Sequence, residues 1–156
     1  MSRILIFTLI FGFFLFAGCN RGTPLEVFHR FENRPWQRFD NLTFEIPVKK
    51  AGKSYDVQFI TWMTRDFPFD ELSVNMVMNT PSGEERIGEY TMKVKSGGGS
   101  FLSEFKGDSC ENILLLKRGL FFAVAGILKV EIENLTPRMQ TTGILGAGIR
   151  LTESGK

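Results

Sequence analysis

Leu42-Thr43-Phe44-Glu45-Ile46-Pro47-Val48 decides the fold class, because the large apolar residues of this stretch fall at every second position. A period of two puts alternate side chains on the same face of a β-strand. Pro47 lies on the opposite face and cannot donate a ladder hydrogen bond, so we expect this strand at or near a sheet edge. One apolar and one polar face are typical of an antiparallel sheet that covers a core.

The same alternation recurs along the chain, and turn-forming residues such as Pro81-Ser82-Gly83 and Arg118-Gly119 separate the runs. We therefore predict an all-β protein, a two-sheet antiparallel β-sandwich that is jelly-roll-like and has about eight or nine strands. The three glycines of the last strand predict a close approach of the opposing sheet. The predicted strands cover residues 26–31, 42–48, 54–63, 72–79, 86–95, 113–117, 120–125, 126–133 and 143–151.

The N-terminal residues have the pattern of a lipoprotein signal. Arg3 precedes an apolar run from Ile4 to Ala17, and the run ends in Ala17-Gly18-Cys19. This run is shorter than the roughly 20 residues of a spanning helix. A signal peptidase needs small residues before the cleaved bond, and the thiol of Cys19 is the nucleophile that accepts a diacylglycerol. The alternative is an ordinary secretory signal with a chance cysteine.

The domain organisation follows from this signal. We predict a signal peptide over residues 1–18, a lipidated Cys19 with a tether over 19–24, and a single β-sandwich domain over 25–156. The net charge of +2 falls to +1 when Arg3 is removed with the signal. Near-neutral charge, with no Lys/Arg tract longer than two residues, argues against a nucleic-acid partner.

Cysteine and histidine counts limit the metal chemistry. Lipidation consumes Cys19 and leaves Cys110 among apolar neighbours, where we expect a buried thiol. One histidine and one free cysteine are too few for the usual zinc site, so we predict no metal and no cofactor. Calcium held by carboxylate and carbonyl oxygens stays an open alternative.

The sequence does not predict an enzyme. The single His29 lies in a predicted strand without a recognisable nucleophile motif, so we expect a structural or surface role. Asp66, Asp70 and Glu71 lie around a turn, where carboxylates are usually solvated. A glycoside hydrolase or peptidase would need two carboxylates in a deep cleft.

Two aromatic segments are candidates for partner binding. In Arg65-Asp66-Phe67-Pro68-Phe69, the arginine and both phenylalanines are residue types typical of binding hot spots. The alternative is that Phe67 and Phe69 fold back as a plug over the end of the sandwich. Trp36, after Arg34-Pro35, would either stack on a partner or a sugar, or pin a long loop onto the core.

Four stretches in chain order have the pattern of a known family. They are Phe31-Glu32-Asn33 with Trp36, Arg65 to Phe69 followed by Leu72, Pro81-Ser82-Gly83, and the closing residues 143–151. Together they resemble the GldH family, the gliding-motility lipoproteins of Bacteroidetes. Phe67 and Phe69 stand where that family more usually has tyrosines, and the resemblance covers essentially the whole chain after Cys19.

The resemblance implies a small β-rich, non-catalytic accessory or assembly component of the gliding apparatus and the linked type IX secretion system. Its partners would be envelope proteins and, through the lipid, the membrane. Because no acidic cluster follows Cys19, we expect the periplasmic face of the outer membrane. The alternative is a carbohydrate-binding β-sandwich lipoprotein of a glycan-uptake system.

Overall fold

A computed structural model describes residues 23–32 and 34–155; the predicted signal peptide and Cys19 lie outside these residues. None of the described residues belongs to a helix long and apolar enough to cross a membrane. The strands are β1 (Leu25–Arg30), β2 (Trp36–Gln37), β3 (Asn41–Val48), β4 (Lys53–Thr64), β5 (Glu71–Asn79), β6 (Glu85–Lys93), β7 (Phe105–Lys106), β8 (Ser109–Phe122), β9 (Gly126–Asn134), β10 (Gln140–Thr141) and β11 (Ile144–Glu153).

The strands form two facing antiparallel sheets. One sheet has the order β1-β11-β4-β8-β7 and the other β3-β9-β5-β6, while β10 and β2 pair separately. The eight long strands, counted along the chain, therefore have the spatial orders 1-8-3-6 and 2-7-4-5, which is the strand arrangement of a jelly roll. The predicted sandwich is confirmed. The three additional strands have two residues each, too few for an alternation pattern to show.

The core lies between the two sheets and consists of the residues that the alternation places inward. In β3 these are Phe44, Ile46 and Val48, all at most 2% exposed. Burial of a large apolar side chain contributes about 1.5–3 kcal/mol, so many such residues stabilise the sandwich collectively. Pro47 lies on β3 at the edge of the four-stranded sheet, as predicted, where it removes no hydrogen bond from an interior strand.

The predicted turn at Arg118-Gly119 is wrong. Residues 109–122 form one strand, β8, whose pairing with β4 shifts register at Val57. Gly119 has φ of 61° and its amide donates a hydrogen bond to Asp56 Oδ1 at 2.8 Å. The glycine therefore allows a β-bulge rather than a reversal of the chain.

The glycines of β11 also have a different role from the predicted one. A Cβ atom on Gly148 would lie 2.7 Å from the carbonyl oxygen of Val27 and 2.8 Å from Cβ of Phe28. A Cβ atom on Gly146 would lie 2.9 Å from the carbonyl oxygen of His29. The close neighbour is thus β1 of the same sheet and not the opposing sheet, and the glycines make room for side chains on the outer surface.

Candidate functional site

One end of the sandwich carries an aromatic cluster, which we call the aromatic end: Phe67, Phe69, Phe101 and Phe105. The rings of Phe67 and Phe69 meet edge to face at 5.8 Å, and those of Phe101 and Phe105 do so at 5.0 Å. Edge-to-face contacts of this kind add to the stabilisation that burial provides. The cluster joins the β4–β5 connection to the segment before β8.

Three cations lie on the rings of the aromatic end. The Arg65 guanidinium carbon is 3.9 Å from the centroid of Phe105, and that of Arg138 is 5.6 Å from the centroid of Phe69. Lys95 Nζ donates a hydrogen bond to the carbonyl oxygen of Phe67 at 2.7 Å. Each cation therefore connects one segment to another, through a cation–π contact or a charge-assisted hydrogen bond.

The structure shows how accessible Arg65, Phe67 and Phe69, the first group of predicted binding residues, are to a partner. Phe67 is 1% exposed and plugs the end of the sandwich, which corrects its assignment as a contact residue and agrees with the alternative. Phe69 is half-buried and Arg65 is exposed, so these two side chains are open to a partner.

Trp36 is fully buried, which corrects the expectation that it contacts a partner. Its ring stacks on Phe31 with centroids 5.5 Å apart, and Nε1 donates a hydrogen bond to the carbonyl oxygen of Asp40 at 3.2 Å. The tryptophan therefore pins the β1–β3 connection onto the core, as the second interpretation proposed.

Asn134 also holds the β1–β3 connection in place, through hydrogen bonds. This role was not identified from sequence. Its amide nitrogen donates hydrogen bonds to the carbonyl oxygen of Trp36 at 3.3 Å and to Thr141 Oγ1 at 3.0 Å. Its Oδ1 accepts one from the amide of Thr136 at 2.9 Å. The available signal was an asparagine at the inward position after Leu128, Val130 and Ile132, where a polar side chain needs partners.

A second surface with exposed apolar residues covers the outside of the five-stranded sheet; we call it the outer face and define it by Phe28, Trp62, Ile113 and Leu115. Phe28 is 48% and Ile113 49% exposed. Phe28 meets Trp62 edge to face at 5.6 Å, across the space that Gly148 leaves open. Trp62 could not be identified from sequence. Its neighbours Thr61 and Met63 also carry nonpolar groups, so the alternation does not show that Trp62 points outward.

A cavity of about 480 Å³ adjoins the outer face. It is lined by Phe28, Trp62, Leu145, Arg30 and Glu32, among others. This volume falls in the range of small-molecule sites, and its lining combines aromatic surface with charged groups of both signs. A ligand in this cavity would meet the planar rings of Phe28 and Trp62 beside the hydrogen-bonding groups of Arg30 and Glu32.

An ion-pair network crosses the outer face. Arg150 Nη2 lies 2.5 Å from Glu111 Oε1, and Arg150 Nε lies 2.9 Å from Glu26 Oε2. The hydrogen bonds that the Arg150 guanidinium donates to Glu111 and then to Glu26 raise its pKa. The network joins three strands, β8, β11 and β1, across the outer face.

The residues considered for catalysis are exposed, and the cysteine considered for metal binding is buried. His29 is exposed and its ring packs against Phe31 at 5.0 Å. Asp66, Asp70 and Glu71 are exposed. Cys110 is buried, as predicted. Within residues 23–32 and 34–155, no three His, Cys, Asp or Glu side chains are grouped closely enough to hold a metal ion.

The solved structures that match this chain include two viral proteins, both at low identity. A chain of the infectious bursal disease virus Gx strain has a TM-score of 0.40 and 11% identity over 86% of this chain, which spans 33% of that viral chain. The tobacco streak virus coat protein has a TM-score of 0.28 and 10% identity, with 85% and 86% of the two chains covered. No curated protein sequence matches this chain.

Comparison with protein families gives a match over nearly the whole described sandwich. The sequence model described as GldH lipoprotein matches residues 25–151, from the first residue of β1 to within two residues of the end of β11. The chain therefore belongs to the GldH lipoprotein family.

Proposed function

We propose that this protein is a non-catalytic accessory or assembly lipoprotein of the gliding motility apparatus and the linked type IX secretion system. It is anchored through Cys19 in the outer membrane and faces the periplasm. The exposed outer face is the observation that carries the binding role. Membership in the GldH lipoprotein family supports the anchor and the process.

The outer face has the composition of a protein interface. Phe28 and Trp62 form an aromatic contact, Ile113 is exposed on the same face, and the Arg150–Glu111 ion pair crosses the face between them. Protein interfaces commonly combine an aromatic or aliphatic centre with a polar rim, and a few central residues supply most of the binding energy. An envelope protein with a complementary apolar surface would bury these side chains.

Crosslinking in cells tests this proposal. The full-length lipidated protein is crosslinked, purified and analysed for captured proteins, with Cys19→Ala as the mislocalised control. We expect the wild type to capture gliding or type IX secretion components, and Trp62→Ala to lose them. Ile87→Ala is the matched control, because Ile87 is 66% exposed on β6 of the other sheet. Equal capture by Trp62→Ala and wild type would exclude the outer face.

The cavity beside Phe28 and Trp62 favours a second function, carbohydrate binding. Aromatic rings supply the apolar contact for a sugar ring, and Arg30 and Glu32 supply polar groups near it. Titration with envelope and plant glycans at millimolar concentration tests it through tryptophan fluorescence. A saturable change that Phe28→Ala removes supports this function, and an unchanged spectrum with every glycan argues against it.

A further inference from the structure

The end of the sandwich opposite the aromatic end carries a second exposed group of residues. We call it the anchor end and define it by Lys49, Lys50, Phe121, Val124 and Ile127. Phe121 is 59%, Ile127 50% and Val124 45% exposed. Both lysines are exposed as well. Three large apolar side chains beside two cations are an unusual combination for a surface that contacts only water.

Backbone pairing holds these residues together. The amide of Gly52 donates a hydrogen bond to the carbonyl oxygen of Phe122 at 2.8 Å, and Val48 pairs with Gly126. The β3–β4 and β8–β9 connections are therefore neighbours, one with the lysines and the other with Val124. Val124 and the lysines thus lie at the tip of the anchor end, and Phe121 and Ile127 flank them on the outer sides of the five-stranded and the four-stranded sheet.

The first described residue, Thr23, lies at the same end. A cleft of about 230 Å³ is lined by Thr23 and Leu25 together with Lys49, Lys50 and Lys53. Lys53 Nζ is 2.5 Å from Glu153 Oε1, so its charge is compensated within the protein. Two exposed carboxylates are nearby, Glu84 of the β5–β6 turn and Glu85 at the start of β6, and Glu84 forms an ion pair with Arg86. Lys49 and Lys50 therefore give the surface beside Thr23 a positive charge.

Chain length restricts where the lipid can be. Cys19 precedes Thr23 by four residues, and a fully extended chain of this length spans at most about 14 Å. Strand β4, with 12 residues, runs about 40 Å from the anchor end to the aromatic end. A lipid on Cys19 can therefore approach the anchor end and cannot reach the aromatic end.

We propose that the anchor end docks on a bilayer containing anionic phospholipids. Val124, Phe121 and Ile127 enter the interface, while Lys49 and Lys50 contact headgroup phosphates. This inference rests on the anchoring through Cys19 proposed above. The lipid supplies most of the affinity, and the anchor end determines the orientation of the domain. The strands then stand steeply on the membrane, and the aromatic end points away from it.

Fluorescence quenching in vesicles tests this orientation. The full-length lipidated protein, carrying an environment-sensitive fluorophore at Val124→Cys, is reconstituted into phosphatidylethanolamine/phosphatidylglycerol vesicles that contain a brominated lipid. Leu102→Cys is the matched control, because Leu102 is 58% exposed near the aromatic end. Cys19 is blocked by its lipid and Cys110 is buried, so the label goes to the introduced thiol. We expect about threefold more quenching at position 124 than at 102, as an interfacial apolar side chain requires.

A charge variant tests the lysines separately. Lys49→Glu with Lys50→Glu should reduce quenching at position 124 in anionic vesicles by about fivefold or more, because each lysine near such a surface contributes roughly that factor. The same variant should behave like the parent in phosphatidylcholine vesicles. Unchanged quenching in anionic vesicles would overturn the proposed headgroup contacts.

Failure of the docking and failure of the anchor give different results. Equal quenching at positions 124 and 102, with the protein still floating with the vesicles, overturns the docking and leaves the anchor in place. Protein that does not float with the vesicles overturns the anchor through Cys19, and the docking with it.

Discussion

Gly143 lies so close to Phe67 that a Cβ atom at position 143 would stand 2.3 Å from the Phe67 amide nitrogen. The carbonyl oxygen of Gly143 also accepts a hydrogen bond from the amide of Thr64 at 2.8 Å. This contact places the β10–β11 connection directly against the backbone that presents Phe67. The plug at the aromatic end therefore depends on a residue without a side chain.

Gly143→Ala should lower the free energy of unfolding by about 3 kcal/mol or more, because the new methyl group meets backbone that cannot move away easily. The positive φ of 76° at Gly143 adds a penalty of about 1 kcal/mol for any other residue. Gly52→Ala isolates that second contribution, since Gly52 has φ of 75° and open space around it. Denaturant unfolding of both variants measures the difference. Equal losses would contradict a tight contact at Phe67.

Asn134→Ala should destabilise the protein by about 2–4 kcal/mol, since the substitution leaves buried partners without hydrogen bonds. Those partners are the carbonyl oxygen of Trp36, the hydroxyl of Thr141 and the amide of Thr136. Asn41→Ala is the matched control, because Asn41 is exposed and bonds to Glu131 at the surface. Thermal unfolding compares the two. A loss at position 134 no larger than at position 41 would show that water replaces the network.

The bulge in β8 should make stability depend on pH through Asp56. The hydrogen bond from Ser154 Oγ at 2.7 Å, followed by that from the Gly119 amide, lowers the pKa of this carboxyl group from its ordinary 3.8. A lowered folded-state pKa contributes stability that is present above the unfolded-state pKa and is lost as pH falls through the folded-state pKa.

Asp56→Asn should therefore be less stable than the wild type at neutral pH, and the difference should shrink as the pH falls below about 4. Urea unfolding at several pH values measures it. Glu89→Gln, at an exposed position on β6, is the control for removal of a surface charge. A difference for Asp56→Asn that stays constant down to strongly acidic pH would show that the charge of Asp56 is not what stabilises the bulge.

The period-two pattern predicted the sandwich because each long strand has one inward face, and the position of Pro47 predicted an edge. The same local chemistry could not separate a turn from a bulge at Gly119, because the deciding partner, Asp56, is distant in sequence. Burial of Trp36 and Phe67 also depends on distant residues, so their role as plugs could be named only as an alternative. Trp62 was missed because large apolar residues occupy adjacent positions in this strand, as in Phe59-Ile60 and Trp62-Met63, so the alternation does not show which of them points outward.

Gly148→Ala should disturb the outer face without unfolding the domain. It tests whether the space that Gly148 leaves for Phe28 is needed for partner binding. A Cβ atom at position 148 would lie 2.8 Å from Cβ of Phe28, so the Phe28 side chain and the edge strand β1 must move outward. Overpacking of this kind costs about 1–3 kcal/mol.

Tryptophan fluorescence measures the change, because Trp62 loses its edge-to-face contact with Phe28 while Trp36 stays buried. We expect Gly148→Ala to shift the emission to longer wavelength and to reduce capture of envelope partners in cells. Phe28→Ala should reproduce both effects while leaving the backbone of β1 in place. If Gly148→Ala shifts the emission but captures the same partners as the wild type, then the arrangement of Phe28 over Gly148 does not contribute to binding, and the partner surface lies elsewhere.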